Sequence, residues 1–548
     1  MKKFSVKELS IPLLLTAAAV SAPAADNTYY MWAEANAHWG EVNPLNAANW
    51  SISNTEYVAP PEGTEMNSPD ANWVFDYGAF LPVSGRKDNI YYRINTAVFE
   101  VASISVVNHN ATSTGYYDEN GYNETGGSTQ IKLTSTASNS SWKIGTFTYT
   151  GTNGTWANGV VLGAAGSDRS QADITVGTIN VGSGENISRL IIGSDAAGTG
   201  YATIEASDKK VGDPVNLFDS AGPKSLTVTG DFNIHGDAVV KMNVWNNDTT
   251  ASHSEYSPDV LVQGVVRMTK SESGKTAAWN LLNRTSIVSW ATGKPKIPST
   301  DTYIKIGGLD GYGTISNNSR TIDPSTVKLI FANKSDCEFS GIFTEDYMST
   351  GASKEERNTV MSVKMAGQNG AKQIIRADAD FTGTVEVESG TLIMHSTKAL
   401  GKLTMTGGAF GGIDGGIIVS SAEWKAGDFI FYSSDALNGG VPDMIRIEGT
   451  FTKAGDGKIG IDFAGFDPSV FIEDGSVLEL ITANALEGAF SADANDDFAA
   501  KNLINGIADF AWAGNTLTVS FAKVPEPAAF AALFGAVALA FAARRARK

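Results

Sequence analysis

Short runs in which apolar and polar residues alternate, each ended by glycine, asparagine or aspartate, recur along most of this chain. Three of them place apolar residues two positions apart, then a glycine, then a second apolar stretch; they cover residues 174–182, 226–234 and 445–451. A period of two is the pattern of a β-strand with one buried face, and the polar or glycine ends are typical of turns. The chain is therefore predicted to be all-β.

The clearest unit lies between Phe381 and Phe410, where two alternating segments with glycine-containing ends flank a short corner. The period of two predicts that one set of side chains points inward: Val385, Val387, Leu392, Met394, Leu403 and Met405. It predicts that a second set faces solvent: Glu386, Glu388, Lys402 and Thr404. Glycines at positions 383, 390, 401, 407 and 408 are predicted to allow tight corners.

One coil of this kind cannot bury its own apolar face. A stack of coils buries a continuous core and leaves strand edges only at its two ends. The chain has 548 residues, far more than one ordinary core needs. These features predict a β-solenoid, with a string of β-sandwiches as the competing architecture because alternation alone fits both.

The segment GTVEVESGTLIMHSTKALGKLTMTGGAF within residues 381–410 resembles the autotransporter-associated β-strand repeat. Residues 38–51 also resemble the start of many such exported proteins. The resemblance implies an elongated, right-handed parallel β-helix on a bacterial surface. Autotransporters end in an outer-membrane β-barrel, whereas this chain ends in a different kind of segment, so self-translocation through a barrel is not expected.

Composition divides the predicted body into three parts. Residues 25–140 are rich in Trp, Tyr and Asn, which predicts an N-terminal β-rich capping region; its tryptophans include Trp32, Trp39, Trp50 and Trp73. Residues 141–420 are predicted to be solenoid repeats, interrupted by a polar loop or short helix at 349–357. Residues 421–523 are predicted to form a C-terminal β-region that ends in a closing strand at 516–521.

Charge and cysteine content exclude several classes of function. The formal net charge is −18, and because both ends of the chain are net basic, the body between them is more acidic still. Such a surface repels nucleic acid, so no nucleic-acid partner is expected. A single cysteine, Cys337, excludes an intramolecular disulfide and a cysteine-based metal site. It is predicted to be a buried, inert thiol rather than a nucleophile.

The end of the chain has three consecutive parts, which together span residues 524–548. Val524, Pro525, Glu526 and Pro527 form a Pro-flanked motif; the two prolines keep the backbone extended and accessible to a processing enzyme. An uncharged, apolar run from Ala528 to Ala543 follows. It is shorter than the roughly 20 residues that span a bilayer, but the cations after it extend its effective length by reaching the headgroups. Those cations are Arg544, Arg545, Arg547 and Lys548. The tail is predicted to hold one transmembrane helix with its basic end in the cytoplasm.

These three parts, in this order, resemble the PEP-CTERM sorting domain of Gram-negative bacteria. The resemblance implies that an exosortase, an integral-membrane protease, recognises the Pro-Glu-Pro segment and removes the tail. The protein would then reach the cell surface or the extracellular matrix. Proteins of this family often accompany exopolysaccharide production.

The beginning of the chain agrees with export. Residues 1–24 contain a positive segment, a short apolar segment from Ile11 to Val20, and small residues at the usual cleavage positions, Ala22, Ala24 and Ala25. This is the pattern of a secretory signal peptide, whose helix is too short to be a stable membrane anchor. Signal peptidase is therefore an expected processing partner.

The sequence contains no recognisable catalytic or metal-binding motif. The five histidines show no ligand-pair spacing, and no metal or other cofactor is expected. The sequence Asp493-x-Asn495-x-Asp497 starts like a calcium loop, but Phe498 and Ile504 stand where glycine and a bidentate acid belong, so a solvated acidic turn is predicted. Arg376 with Asp378 and Asp380 was considered as a carboxylate–cation trio for polysaccharide chemistry and is interpreted as a charged surface turn.

The sequence thus predicts a non-enzymatic structural or adhesive protein, exported and first anchored in the membrane, then placed on the cell surface, in the outer envelope or in the matrix. The alternative is a polysaccharide-degrading or polysaccharide-binding protein on the same scaffold. A cleft with a carboxylate pair and a cation would favour degradation, and a row of exposed aromatic residues would favour binding. In the N-terminal region, the aromatic residues fit either sugar stacking or a plug for the end of the solenoid.

Overall fold

Parallel β-strands make up most of the folded chain. A computed structural model describes residues 27–32, 41–76, 90–109, 116–117, 123–124, 130–135, 137, 140–151, 159–165, 172–182, 189–192, 224–236, 238–242, 254–274, 276–281, 301–317, 325–345, 359–431, 443–524, 537–539 and 544–545. In these residues, 34 strands belong to one sheet and two form a separate small hairpin. The predicted all-β class is confirmed.

The first strands are short at the N-terminus and become long by β6. They are β1 (Thr28–Met31), β2 (Glu41–Val42), β3 (Trp50–Ser51), β4 (Asn72–Asp76), β5 (Ile90–Ile94), β6 (Val98–His109), β7 (Tyr116–Tyr117), β8 (Asn123–Glu124), β9 (Gln130–Ser135), β10 (Ser140–Gly151), β11 (Gly159–Ala165), β12 (Ala172–Val181) and β13 (Arg189–Ile192). A 3-10 turn, Ala47–Asn49, precedes β3.

The middle of the chain continues without a described helix. Its strands are β14 (Ser225–Val228), β15 (Phe232–His235), β16 (Val239–Met242), β17 (Val260–Val262), β18 (Val266–Thr269), β19 (Ala277–Asn280), β20 (Thr302–Ile306), β21 (Leu309–Ser316), β22 (Ser325–Phe331), β23 (Cys337–Thr344), β24 (Thr359–Ala366), β25 (Lys372–Asp380), β26 (Val385–Ser389), β27 (Thr391–His395), β28 (Leu403–Gly412) and β29 (Ile417–Val419).

The C-terminal part adds two short helices to the strands. Its elements are β30 (Ala422–Phe431), β31 (Ile445–Lys453), β32 (Ile459–Asp462), α1 (Ser469–Asp474), β33 (Leu478–Gly488), α2 (Ala494–Asp497), β34 (Phe498–Lys501), β35 (Gly506–Ala513) and β36 (Thr516–Lys523). The predicted closing strand at 516–521 lies within β36.

The parallel strands form ladders in which each strand pairs with one earlier and one later in the chain. In one ladder, Val363 of β24 pairs with Val385 of β26, Val385 with Leu403 of β28, and Leu403 with Ala422 of β30. Equivalent apolar residues therefore lie directly above one another. Burying a valine or leucine side chain contributes roughly 1.5–3 kcal/mol, and here the contribution repeats at each step.

Antiparallel pairing occurs near the two ends of the described body. At the N-terminal end β1 pairs antiparallel with β3, and at the C-terminal end β36 pairs antiparallel with both β33 and β35. The hairpin of β7 and β8 is also antiparallel. The large sheet is thus parallel in its interior and mixed at its ends.

The predicted orientation of the 381–410 unit is largely correct. The inward set is buried throughout: Val385, Val387, Leu392, Met394, Leu403 and Met405. Glu388 and Lys402 are exposed, and Glu386 and Thr404 are half-buried. Strand β27 departs from the prediction, because Ile393 is also fully buried, against Ile413 and Ile430 in a second small cluster. This strand is buried on both faces, which alternation does not reveal.

Glycines permit the close approach of neighbouring segments of the large sheet. A Cβ atom on Gly177 would lie 2.1 Å from the carbonyl oxygen of Gly145, and one on Gly264 would lie 2.4 Å from that of Gly230. Gly230 in turn lies over Gly177. We call Gly145, Gly177, Gly230 and Gly264 the glycine column. Glycine is required there because a Cβ atom would collide with the neighbouring backbone, and not because the backbone angle is unusual.

Aromatic residues fill the core near both ends. At the N-terminal end, Trp50 and Trp73 are fully buried, with ring centroids 4.9 Å apart, and Trp73 packs on Phe99 at 4.9 Å. These two tryptophans are core residues, so their rings are not available for sugar stacking. At the C-terminal end, a second group packs ring against ring: Phe463, Phe466, Phe471, Phe490, Phe498, Phe510, Trp512 and Phe521.

Candidate functional site

The predicted sorting motif follows directly on the last strand of the sheet. Within β36, Leu517 and Val519 are fully buried, and Phe521 is the last buried side chain. Lys523 and Val524 are exposed, and Val524 is 47% accessible. Pro525, Glu526 and Pro527 lie outside the described residues. The described core therefore ends before the motif begins.

Beyond Val524, the described residues of the tail are 537–539 and 544–545. Val537 and Leu539 are helical and expose 44% and 72% of their surface, and Arg544 and Arg545 are helical and exposed. These apolar side chains are thus not packed into the body. Among the described residues no helix has both the length and the apolar character that a membrane crossing requires. The rest of the predicted transmembrane helix, with Arg547 and Lys548, and the signal peptide with Ala22, Ala24 and Ala25, lie outside those residues.

The carboxylate–cation trio considered for polysaccharide chemistry is not brought together. Asp378 accepts hydrogen bonds from the backbone N–H and hydroxyl of Thr397, both at 2.7 Å, and Asp380 pairs with Lys398 at 2.5 Å. Although Arg376, Asp378 and Asp380 share one face of β25, each side chain has a different partner. The predicted charged surface turn is wrong as a turn, because all three residues lie within strand β25.

Arg376 instead joins two carboxylates that are distant in sequence. Its Nε donates to Glu338 Oε1 at 2.6 Å, and its Nη1 donates to Asp414 Oδ2 at 3.0 Å. Asp414 has a left-handed backbone, with φ of 53°, at the start of the Asp414–Gly416 corner. The arginine holds the Asp414 carboxylate in place at a strained turn.

A second carboxyl group lies beside Asp414 at the same corner. Asp443 accepts a hydrogen bond from the backbone N–H of Gly415 at 2.8 Å. Burial raises the pKa of the Asp443 carboxyl, and the charge of Asp414 adds to the increase, whereas Gly415 and His395 oppose it. His395 donates from Nδ1 to the carbonyl of Ile413 at 3.1 Å. The corner thus combines two carboxyl groups, an arginine and a histidine. Sequence reasoning missed it; the run of turn residues Asp414-Gly415-Gly416 was the available signal.

A network of ion pairs crosses another face of the sheet. Glu255 bridges Lys328 and Lys364, with each Oε···Nζ distance at 2.5 Å. Lys328 also pairs with Glu386 at 2.9 Å, and Lys364 with Glu388 at 2.6 Å. The two lysines expose only 14% and 11% of their side chains. The turn at 254–257 is therefore fastened to strands that follow much later in the chain.

Electrostatics at this network favour the charged forms. Burial alone would raise the pKa of Glu255, but its hydrogen bonds with Lys328 and Lys364 outweigh burial and hold the pKa below 4.5. Burial alone would lower the pKa of Lys328, but Glu255 and Glu386 hold it above 10.5. Next to Glu255, the ring of Tyr256 is 95% exposed. The ion pairs of Glu255 therefore hold the 254–257 turn against the sheet, and the exposed Tyr256 lies beside them.

The predicted solvated acidic turn at 493–497 is only partly correct: Asp493 and Asp496 are exposed, but residues 494–497 form α2 and Asp497 is buried. Asp493 caps α2 by accepting from the backbone N–H of Asn495 at 2.9 Å. Asp497 is buried and pairs with Lys453 at 2.6 Å. Of the three aspartates, only Asp497 is held inside the protein.

Cys337 is buried, and burial raises the pKa of its thiol to about 11, which is consistent with the predicted inert role. Within the described part of the chain, no three His, Cys, Asp or Glu side chains are grouped to hold a metal ion. Comparison with family models, curated proteins and solved structures gives no match for this chain. Its function therefore has to be inferred from its own residues.

Proposed function

We propose that this chain is an exported protein of the bacterial cell surface or extracellular matrix with a structural or adhesive role. In this proposal residues 524–548 are a PEP-CTERM sorting signal and residues 1–24 a signal peptide. One observation carries it: the described core ends at Phe521, and the exposed Val524 opens the motif. Removal of the tail would take away no side chain of the described core.

The body is proposed to be an elongated right-handed parallel β-helix, with residues 25–140 as its N-terminal cap, 141–420 as its repeats and 421–523 as its C-terminal region. The parallel ladders support it, because strands of a β-sandwich pair antiparallel with their sequence neighbours. The glycine column also supports it, because it keeps one corner of successive coils in contact. Such a body suits a passive, extended surface molecule that needs no cofactor.

The processing partners follow from the two ends. Signal peptidase would cut near Ala22–Ala25, and an exosortase-type membrane protease would act at Val524–Pro527. The membrane would hold the protein only through the tail before that cut. Extracellular polysaccharide is the proposed neighbour of the released body.

The test is C-terminal peptide mapping of the full chain produced in a Gram-negative host that carries a PEP-CTERM processing system. A mature C-terminus within or next to Val524–Pro527, together with surface-bound or released protein, is expected. Glu526→Ala should leave the tail uncut and the protein in the membrane fraction. The matched control, Glu473→Ala on the exposed face of α1, should be processed normally. An uncut tail in the unmodified chain would refute the sorting proposal.

A second candidate function, polysaccharide degradation, is favoured by the corner of Asp414 and Asp443. Glycoside hydrolysis needs one protonated and one ionised carboxyl group. Burial raises the pKa of Asp443, which suits the acid, and Arg376 pairs with Asp414, which suits the ionised partner. If the chain is an enzyme, Asp443→Asn should abolish depolymerisation of the host's exopolysaccharide. Asp456→Asn, at an exposed turn, should not. Failure of the unmodified chain to shorten the polymer would exclude this candidate.

A further inference from the structure

The pair of Lys453 and Asp497 differs from the other ion pairs of the described residues. Its Nζ···Oδ1 distance is 2.6 Å, and the side chains expose only 7% and 1% of their surface. The pair of Lys501 and Asp428 has a similar distance, 2.7 Å, but exposes 50% and 29%. Among the ion pairs of the described residues, Lys453 and Asp497 are the pair in which both charges are buried.

The surroundings of the pair are apolar. Phe490 precedes Ser491, Phe498 follows Asp497, and both rings belong to the C-terminal aromatic group. The ring of Phe451, two residues before Lys453, lies 5.1 Å from that of Phe490. Desolvation makes an ion pair costly in such a place.

One further contact orients the carboxyl group. The backbone N–H of Ser491 donates to Asp497 Oδ2 at 2.6 Å, while Oδ1 faces the lysine. A donor at this position polarises the C–Oδ2 bond and stabilises the negative charge that develops on Oδ2 during attack at Cγ. The amine and the backbone donor are therefore held on the two oxygens of one carboxyl group before any reaction.

We propose that Lys453 and Asp497 condense to an intramolecular isopeptide bond. After transfer of one proton from Nζ to Oδ1, the neutral amine attacks Cγ and forms the N–C bond. The C–Oδ1 bond then breaks, Oδ1 takes a second proton from the nitrogen, and one water molecule leaves. Oδ2 remains as the amide oxygen. No oxidant, metal or cofactor is consumed, and burial keeps water away from the new amide.

The bond would link β31 to the end of α2 across 44 positions of the chain. It would fix the last coils to one another in a chain whose single cysteine cannot form an internal disulfide. This inference does not depend on how the tail is processed.

The decisive measurement is the intact mass of the folded full chain, compared with the mass of its sequence after the two termini have been assigned from terminal peptides. A mass lower by one water molecule is expected. Digestion after glutamate should then join the peptide 449–473 to the peptide that begins at residue 488. The deficit should disappear in Lys453→Arg and persist in Lys501→Arg, the exposed matched control.

A second variant changes the molecule that is lost when the isopeptide bond forms. In Asp497→Asn the same attack would expel ammonia, so the mass deficit should change from one water to one ammonia. An unmodified chain at its full sequence mass, or a deficit that maps outside Lys453 and Asp497, would overturn the proposal. The pair would then be an ordinary buried salt bridge.

Discussion

The side-chain amide of Gln373 forms with Leu309 the two hydrogen bonds that a neighbouring strand would form. Its Nε2 donates to the Leu309 carbonyl at 2.8 Å, and its Oε1 accepts from the Leu309 N–H at 3.0 Å. Gln373 is fully buried, and Oε1 also accepts from Asn333 at 3.1 Å. A side chain thus satisfies backbone groups in the interior that would otherwise be costly to bury.

Replacing this amide should be strongly destabilising. Gln373→Leu keeps the volume but leaves the N–H and C=O of Leu309 buried without partners, so we expect a loss of about 3 kcal/mol. Urea unfolding of the full chain, with hydrogen exchange at Leu309, measures it. The control is Gln368→Leu at an exposed turn position, expected to change stability by less than about 0.5 kcal/mol. Equal effects of the two substitutions would contradict the role assigned to Gln373.

Two asparagines use the same geometry near the ends of the sheet. Asn495 donates to the Phe510 carbonyl at 3.0 Å and accepts from its N–H at 3.0 Å. Asn67 donates to the Val98 carbonyl at 2.9 Å and accepts from the Glu100 N–H at 2.7 Å. Phe510 lies on β35, whose described pairing is with β36 alone. Asn495 therefore covers backbone groups at a strand edge, where unpaired groups invite association with another chain.

We expect Asn495→Ala to increase self-association of the protein. The substitution exposes the N–H and C=O of Phe510 at the edge of β35 and removes the two hydrogen bonds to them, worth about 1 kcal/mol each. It also removes the side-chain hydrogen bonds to Asp493 and Asp509. Sedimentation velocity over a concentration series measures the association. Asn515→Ala, which removes one side-chain bond at a nearby turn, should leave the protein as it was. If both variants behave alike, edge protection is not the role of Asn495.

Substitution of a glycine in close contact with a neighbouring strand should cost more stability than substitution of an exposed turn glycine. Gly177→Ala places a methyl group 2.1 Å from the Gly145 carbonyl oxygen, so the coils must move apart, and we expect a loss of about 3 kcal/mol or more. At Gly274 the space around an added Cβ is open, but φ is +83°, so Gly274→Ala should cost about 1 kcal/mol from backbone strain alone. Thermal unfolding of both variants distinguishes them. The reverse order would contradict the close-contact explanation.

The turn that carries Glu255 should loosen in acid. Since the pKa of Glu255 is held below its ordinary value of 4.5, its contribution to stability is present above that pH and is lost as pH falls through the lowered pKa. We expect hydrogen-exchange protection of residues 254–259, corrected for intrinsic rates, to be constant from pH 7 to about 5 and to fall below pH 4.

Glu255→Gln should remove that protection already at neutral pH, because the uncharged amide cannot form the two ion pairs. Glu272→Gln, at the exposed turn after β18, should leave the segment protected. Protection of residues 254–259 that is unchanged in Glu255→Gln would show that other contacts hold the turn.

Part of the fold could be predicted because it depends on neighbours in sequence. The burial of Val385 and Leu403 follows from the two-residue period of a strand, and that period is visible in the chain itself. The glycines at 177 and 230 stood in two of the three runs that share one pattern, although their stacking was not predicted. Ile393 was missed, since a strand buried on both faces carries no alternation.

The candidate sites also differ in whether their residues are neighbours in sequence. The proposed sorting tail rests on sequence alone, because its Pro-Glu-Pro motif, apolar run and basic end are consecutive in the chain. The partners of Arg376 could not, because Glu338 and Asp414 approach it from other coils while Asp378 and Asp380 nearby in sequence turn to other groups.

The strand period and the inward-facing side chains can be read from the chain, because both are local properties of a strand. Which strands pair, and therefore which charges meet, is visible only in the folded structure. Lys453 faces Asp497, and Gln373 faces Leu309, across long stretches of chain. Contacts of this kind depend on the register between coils, which is set by packing over the whole stack and not by any one segment.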